Sequence, residues 1–283
     1  LHTLQKLEKE GFEIELLDVH QNGVITASEV ADAIREDTCL VTVMYVNNEI
    51  GTIQPVREIG AVCRDRKVLF HTDAVQAAGH LPIDVKADNI DMLSISAHKF
   101  HGPKGIGILY AKRGIILNNL IEGGAQERGK RPGTENLPAI MGMAKALELA
   151  DDEVKKGLSG LEAKRDRLIE GLNKIPHSEL NGDRLRRVAG TVNFCFEAIE
   201  GESMLLLLDD KGIRASSGSA CTSGSLDPSH VLTAIGRKRA EAQSSLRMTL
   251  GRENTEAEIL TVVQKLKAKQ SAIHYGSILR MIF

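Results

Sequence analysis

Lys99 closes the tract Ser96-Ala97-His98-Lys99 at the end of an apolar run, and Cys221 stands far downstream within Ser217-Gly218-Ser219-Ala220-Cys221-Thr222-Ser223. A lysine so placed suits a Schiff base with a carbonyl group, and a thiol so framed suits nucleophilic attack. The pair points to amino-acid sulfur chemistry. Between them in role, His71-Thr72-Asp73-Ala74-Val75-Gln76 offers a carboxylate and an amide at a strand end.

Each residue also has a plainer reading. Taken alone, Lys99 is a solvated turn lysine. Its context argues otherwise: the apolar stretch Ile90 to Ile95 delivers it to a partly desolvated place that favours the neutral amine, and Gly102, Gly105 and Gly107 allow the backbone close approach. Asp73 alone is a strand-end cap or turn residue. Beside Lys99 it gains a second reading, because pyridoxal phosphate works as an electron sink only while its ring nitrogen stays protonated, which a buried carboxylate secures. Gln76, three residues on, can then reach the ring hydroxyl. Asn47-Asn48-Glu49-Ile50-Gly51 places polar amides at another strand end, or forms a plain turn.

Of the four cysteines, Cys39, Cys63 and Cys195 lie in apolar strands or helices and read as core, whereas Cys221 sits among Ser, Gly, Ala and Thr and reads as a reactive thiol. It has no second cysteine nearby for a resolving disulfide or a zinc site; donating a single metal ligand, or sulfur to a partner, stays open. Scattered cysteines without a disulfide framework fit a reducing, cytoplasmic setting.

These side chains need elements to hold them. Glu13–Val19, Cys39–Val46, Val68–Ala74, Met92–Ser96 and Ile106–Tyr110 read as strands, with helices over Ser28–Arg35 and Val56–Arg66. That alternation implies a mostly parallel sheet covered by helices, with active residues at strand ends. From Leu137 a heptad-like stretch runs to about Ile175, and its charged cluster from Asp151 to Lys156 marks the passage between two lobes. The expected division is 1–150, a cofactor-binding lobe, and 151–283, a smaller α+β lobe. The latter has strands at Val188–Phe196 and Ser245–Leu250, and helices at Glu202–Asp210, Pro228–Ile235 and Glu256–Ile273.

Composition bounds the function class. A chain of 283 residues with 42% hydrophobic and 26% charged content and a formal net charge of −2 reads as globular, with no case for nucleic acid or a membrane surface. The longest aliphatic cluster, Met204 to Leu208, falls far short of the ~20 residues of a membrane span. The chain opens at Leu1 within an amphipathic pattern, with no initiator methionine or signal-peptide pattern, as a chain entered in mid-domain does.

Val46-Asn47-Asn48-Glu49-Ile50-Gly51, His71 to Gln76, Ser96 to Lys99, Gly133-Thr134-Glu135-Asn136, Ser216 to Cys221 and Leu246-Arg247-Met248-Thr249-Leu250-Gly251-Arg252 together resemble the group I, NifS/IscS-like cysteine desulfurases. The resemblance covers essentially the whole chain. It implies a fold type I pyridoxal-phosphate-dependent transferase of α/β class, acting on L-cysteine as a homodimer and passing sulfur to iron-sulfur scaffold or other acceptor proteins. By the same resemblance, Lys99 would bind the cofactor covalently and Asp73 would pair its ring nitrogen. Gln76 would contact the ring hydroxyl, and Asn48 would sit beside the ring. Ser96 and His98 would hold the phosphate, Thr134 would reach the phosphate in the partner subunit, Arg247 would grip the substrate carboxylate, and Cys221 would take up the sulfur. His98, or His101 nearby, can act as acid or base, or stay structural. The family's glycine-threonine-glutamate phosphate loop and ring-stacking histidine precede the point where this sequence starts, which makes it roughly the C-terminal two-thirds to three-quarters of such an enzyme. Two other functions compete: another fold type I activity such as a selenocysteine lyase, separable by products from cysteine, selenocysteine and keto acids, and a silent interaction module, separable by cofactor absorbance.

Overall fold

The computed structural model describes residues 2–197, 199, 201–217 and 227–280. Its helices in chain order are α1 (His2–Lys9), α2 (Ala27–Ala33), α3 (Val56–Arg66), α4 (Gln126–Gly129), α5 (Leu137–Lys155), α6 (Leu161–Leu172), α7 (Gly201–Asp209), α8 (His230–Ala234), α9 (Arg239–Gln243) and α10 (Glu256–Arg280). The strands are β1 (Leu40–Met44), β2 (Leu69–Asp73), β3 (Met92–Ser96), β4 (Gly107–Ala111), β5 (Ser178–Leu180), β6 (Thr191–Phe196) and β7 (Ser245–Thr249).

Strands β1 to β4 form one sheet in that order. β1, β2 and β3 run parallel, and β4 is antiparallel to β3. Side chains alternate across such a sheet. Phe70 and Leu93 on one face bury themselves against Val56, Ile59 and Cys63 of α3, with Val41, Val43 and Tyr110 packed alongside. The opposite face carries Leu40, Thr42, Leu69, His71, Asp73, Ser94 and Leu109, and its leucines stay open, Leu40 at 43%, Leu69 at 39% and Leu109 at 55% exposure.

The second sheet, β5-β6-β7, is antiparallel throughout. Phe194 and Phe196 of β6 and Leu246 and Met248 of β7 meet Leu168, Ile169 and Leu172 of α6, Met204 and Leu208 of α7, and Ile259 and Leu266 of α10. The architecture is thus α/β, with a mixed, mainly parallel sheet followed by a smaller α+β part.

Several expectations need correction. Glu13–Val19 forms no strand: the segment makes no ladder with a neighbour, Leu16 points outward at 64% exposure, and only Leu17 and Val19 pack inward. Apolar alternation does not make a strand without a partner. The stretch after Leu137 is not continuous; it ends at Lys155 and resumes at Leu161. Gly157, Leu158 and Gly160 between them take left-handed φ values of 78°, 53° and 74°. The strand expected from Val188 begins only at Thr191, after a turn. Cys39, just ahead of β1, is exposed rather than core, while Cys63 and Cys195 are buried as expected. Among the described residues no helix is long and apolar enough to cross a membrane.

Candidate functional site

Parallel pairing brings the carboxyl ends of β1, β2 and β3 to one edge. Met44, Asp73 and Ser94 are lateral partners across that edge, in strands about 4.8 Å apart. Beyond β1 comes the turn bearing Asn48, beyond β2 the turn bearing Gln76, and beyond β3 a 3-10 turn, Ala97–Phe100, bearing His98 and Lys99. The topology therefore collects Asn48, Asp73, Gln76, Ser96, His98 and Lys99 on one rim of the sheet.

The lysine turn is pinned by its apolar members. Ala97 and Phe100 are buried with Ala78 and with Met143 of α5, which leaves Lys99 half-buried and His98 exposed. Gly102 returns its N–H to the Ala97 carbonyl at 2.8 Å, and a Cβ there would stand 2.9 Å from Ala97 Cβ, so the turn closes only over glycine. Ser96 Oγ and His98 Nδ1 are hydrogen-bonded at 2.8 Å.

Half-buried Asp73 accepts the Val75 N–H on Oδ1 at 3.0 Å. Two residues earlier on the same face, His71 bridges three strands, with Nδ1 2.8 Å from Thr42 Oγ1 and Nε2 3.0 Å from Ser94 Oγ. Burial holds the His71 imidazole below its usual value, against the opposing pull of Asp73. Burial likewise lowers His80, in the turn after β2, and the nearby His101 and Lys99 charges add to this against a hydrogen bond with the Ala78 carbonyl. Sequence reading singled out neither His71 nor His80, although His71 is recoverable from the period of two that puts it on the Asp73 face.

Arg247, on β7, reaches this rim from the second sheet: its Nη1 donates to the Asn48 carbonyl at 2.9 Å. It is half-buried. Thr134 lies exposed in the turn ahead of α5 and takes no part in these contacts. Cys221 lies outside the described residues.

This donor set fits pyridoxal phosphate chemically. A carboxylate with one oxygen engaged by the backbone leaves the other for a protonated ring nitrogen, a half-buried amine suits the aldehyde, and a hydroxyl and an imidazole stand together for the phosphate.

Comparison with known proteins agrees. The family model for class-V aminotransferases matches residues 1–262. The chain is 54% identical over 264 residues to the cysteine desulfurase IscS of Methanosarcina thermophila, covering 93% of this chain and 65% of that protein. It is 53% identical to a Clostridium botulinum protein of the same name, covering 94% and 68%. It therefore spans about two thirds of these relatives. Among solved structures it superposes on a NifS-like protein with a TM-score of 0.87 at 36% identity, covering 95% of this chain and 71% of the other. The chain belongs to the class-V aminotransferase family of pyridoxal-phosphate-dependent proteins, on its cysteine desulfurase branch.

Proposed function

We propose that the chain carries the cofactor lysine and the sulfur-accepting thiol of a cysteine desulfurase, which converts L-cysteine to L-alanine and retains the sulfur as a persulfide on Cys221. The observation that carries this reading is the convergence of Asn48, Asp73 and Lys99 on one rim of three parallel strands, with Arg247 delivered to the Asn48 carbonyl. On this reading the lobes divide near residue 151, within α5. The protein works as a homodimer in a reducing compartment such as the cytoplasm, with Thr134 serving the partner's phosphate. The sulfur goes to iron-sulfur scaffold or other acceptor proteins.

Bound pyridoxal phosphate supplies an electron sink for the bonds around the substrate α-carbon. Asp73 would keep the proton on the ring nitrogen, with Gln76 at the ring hydroxyl and Asn48 beside the ring. Ser96 and His98, joined through His98 Nδ1, would hold the phosphate, with the His98 imidazole at hand for proton exchange. Lys99 would move the proton at the substrate α-carbon as a free amine. Arg247, held at the rim by its bond to the Asn48 carbonyl, would grip the substrate carboxylate through its guanidinium. The Cys221 thiolate attacks the substrate sulfur. An S–S bond forms, the substrate's C–S bond breaks, and a proton completes alanine.

The competing thiols are poorly suited to that attack. Burial pushes Cys63 and Cys195 up to about 11, which leaves them protonated at neutral pH. Lys99→Ala is expected to abolish the lysine-dependent visible band of the bound cofactor and lower turnover more than about a thousandfold. Cys221→Ser is expected to keep that band and form no protein persulfide. Turnover in Lys99→Ala above about a tenth of the parent rate, or a persulfide mapped by mass spectrometry to Cys39, Cys63 or Cys195, overturns the assignment.

A further inference from the structure

The turn after β1 is gripped from outside. Asn47 Oδ1 accepts the Glu49 and Ile50 N–H groups at 2.9 and 3.0 Å, which closes the turn and presents three successive carbonyls to the second half of the chain. Each is taken by a different side chain: Asn48 by Arg247 Nη1 at 2.9 Å, Glu49 by Asn193 Nδ2 at 3.1 Å, and Ile50 by Arg187 Nη1 at 2.5 Å. Glu49 adds its carboxylate, in a residue only 2% exposed, which accepts from Ser229 Oγ at 2.5 Å.

Ser229 caps α8, its Oγ accepting from the Val231 and Leu232 N–H groups at 3.2 and 3.3 Å. Those two bonds occupy its lone pairs, so its single proton must go to an acceptor, and a carboxylate is acceptor only. On the other side, Ser216 and Arg247 exchange a reciprocal pair of backbone hydrogen bonds at 3.0 and 2.6 Å. Ser216 and Ser229 are the two roots of the stretch that contains Cys221. The near root is tied through Arg247 to Asn48 and the far root through Ser229 to Glu49, so both meet in one dipeptide at the cofactor rim.

We propose that Glu49 is a positioning residue that acts through Ser229 to hold the far root of the thiol-bearing stretch in register with the cofactor rim. The proposal rests on the reading that Cys221 receives the sulfur. Glu49 itself touches neither cofactor nor substrate in this assignment, so its loss separates sulfur transfer from the cofactor steps that precede it.

The test compares Glu49→Ala, Glu49→Gln, Ser229→Ala and the double alanine variant in the cofactor-loaded protein. Glu49→Ala is expected to raise Cys221 alkylation by iodoacetamide and amide exchange at Val231 and Leu232 about threefold or more. It should slow persulfide formation about tenfold, while the absorbance change on adding L-cysteine stays within about twofold of the parent. Glu49→Gln, which keeps an acceptor, should restore most of both, and the double variant should be no worse than the poorer single one. The proposal is overturned if Glu49→Ala changes nothing, if it slows the absorbance change and persulfide formation in equal proportion, if Gln is as impaired as Ala, or if the two alanine effects add. A parent protein that forms no persulfide at Cys221 refutes the functional reading instead. Alkylation and amide exchange then decide the positioning role by themselves.

Discussion

The two sheets are filled differently. In β5-β6-β7, β6 is buried from Val192 to Phe196, and even its polar member Asn193 is enclosed, donating to the Glu49 carbonyl and accepting from Asn181. In β1-β2-β3-β4, one face is packed against α3 and the other leaves Leu40, Leu69 and Leu109 open beside His71 and Asp73. The comparison teaches that His71 and Asp73 stand on the less packed face of the first sheet, while the second sheet spends its side chains on cohesion and on holding the rim through Arg247, Asn193 and Arg187.

The contrast breaks first, if it breaks, at Phe194. Phe194→Ala empties a fully buried site and is expected to cost about 3–5 kcal/mol, whereas Leu69→Ala on the open face should cost under about 1 kcal/mol. Urea midpoints decide it, and equal losses would mean that the open face is packed as tightly as the closed one. Next in size is Arg187→Ala. This guanidinium donates to the carbonyls of Ile50, Asn181, Asp183 and Thr191, and burial brings it down to about 10, so it stays charged at neutral pH. Its removal orphans several buried acceptors at once, with an expected loss of about 2–4 kcal/mol in the same assay.

The smallest effect sharpens the comparison from the open side. Because burial lowers His71, the folded state favours its neutral form. That contribution is complete above 6.5, the unperturbed value, and is lost as pH falls through the lower folded value. His80 acts with the same sign. The urea midpoint should therefore drop between about pH 7 and pH 5, and drop less in His71→Asn; an unchanged pH slope in that variant would remove His71 from the account.

How legible this was in sequence depends on where the signal lay. β3 and α3 fall where periodicity places them, since apolar residues at local spacing are buried by their nearest neighbours. The rim positions of Lys99, Asp73 and Asn48 were readable because each lies a few residues past the apolar part of such a run. β5, three residues long, left no period to detect, and α9, five residues, little more. The Glu13–Val19 segment misled because pairing is a property of two strands, and one stretch cannot show whether its partner exists. Arg187 and Glu49 were illegible for a related reason: their partners lie 137 and 180 positions away, at Ile50 and Ser229, and no local pattern reports a bond across that distance. As a sequence, Asn47-Asn48-Glu49-Ile50-Gly51 is a turn; only the fold makes it the place where two parts of the chain are fastened.

That fastening sets a leash. Cys221 stands five positions after Ser216 and eight before Ser229. Whatever path they take, a chain extending at most ~3.5 Å per residue confines the thiol to within roughly 17 Å of the first anchor. One sulfur in a sphere of that radius is present at an effective concentration on the order of tens of millimolar. At such a local concentration a thiol need not be diffusing or abundant to meet each substrate sulfur, and the rate of capture becomes a matter of where the anchors stand.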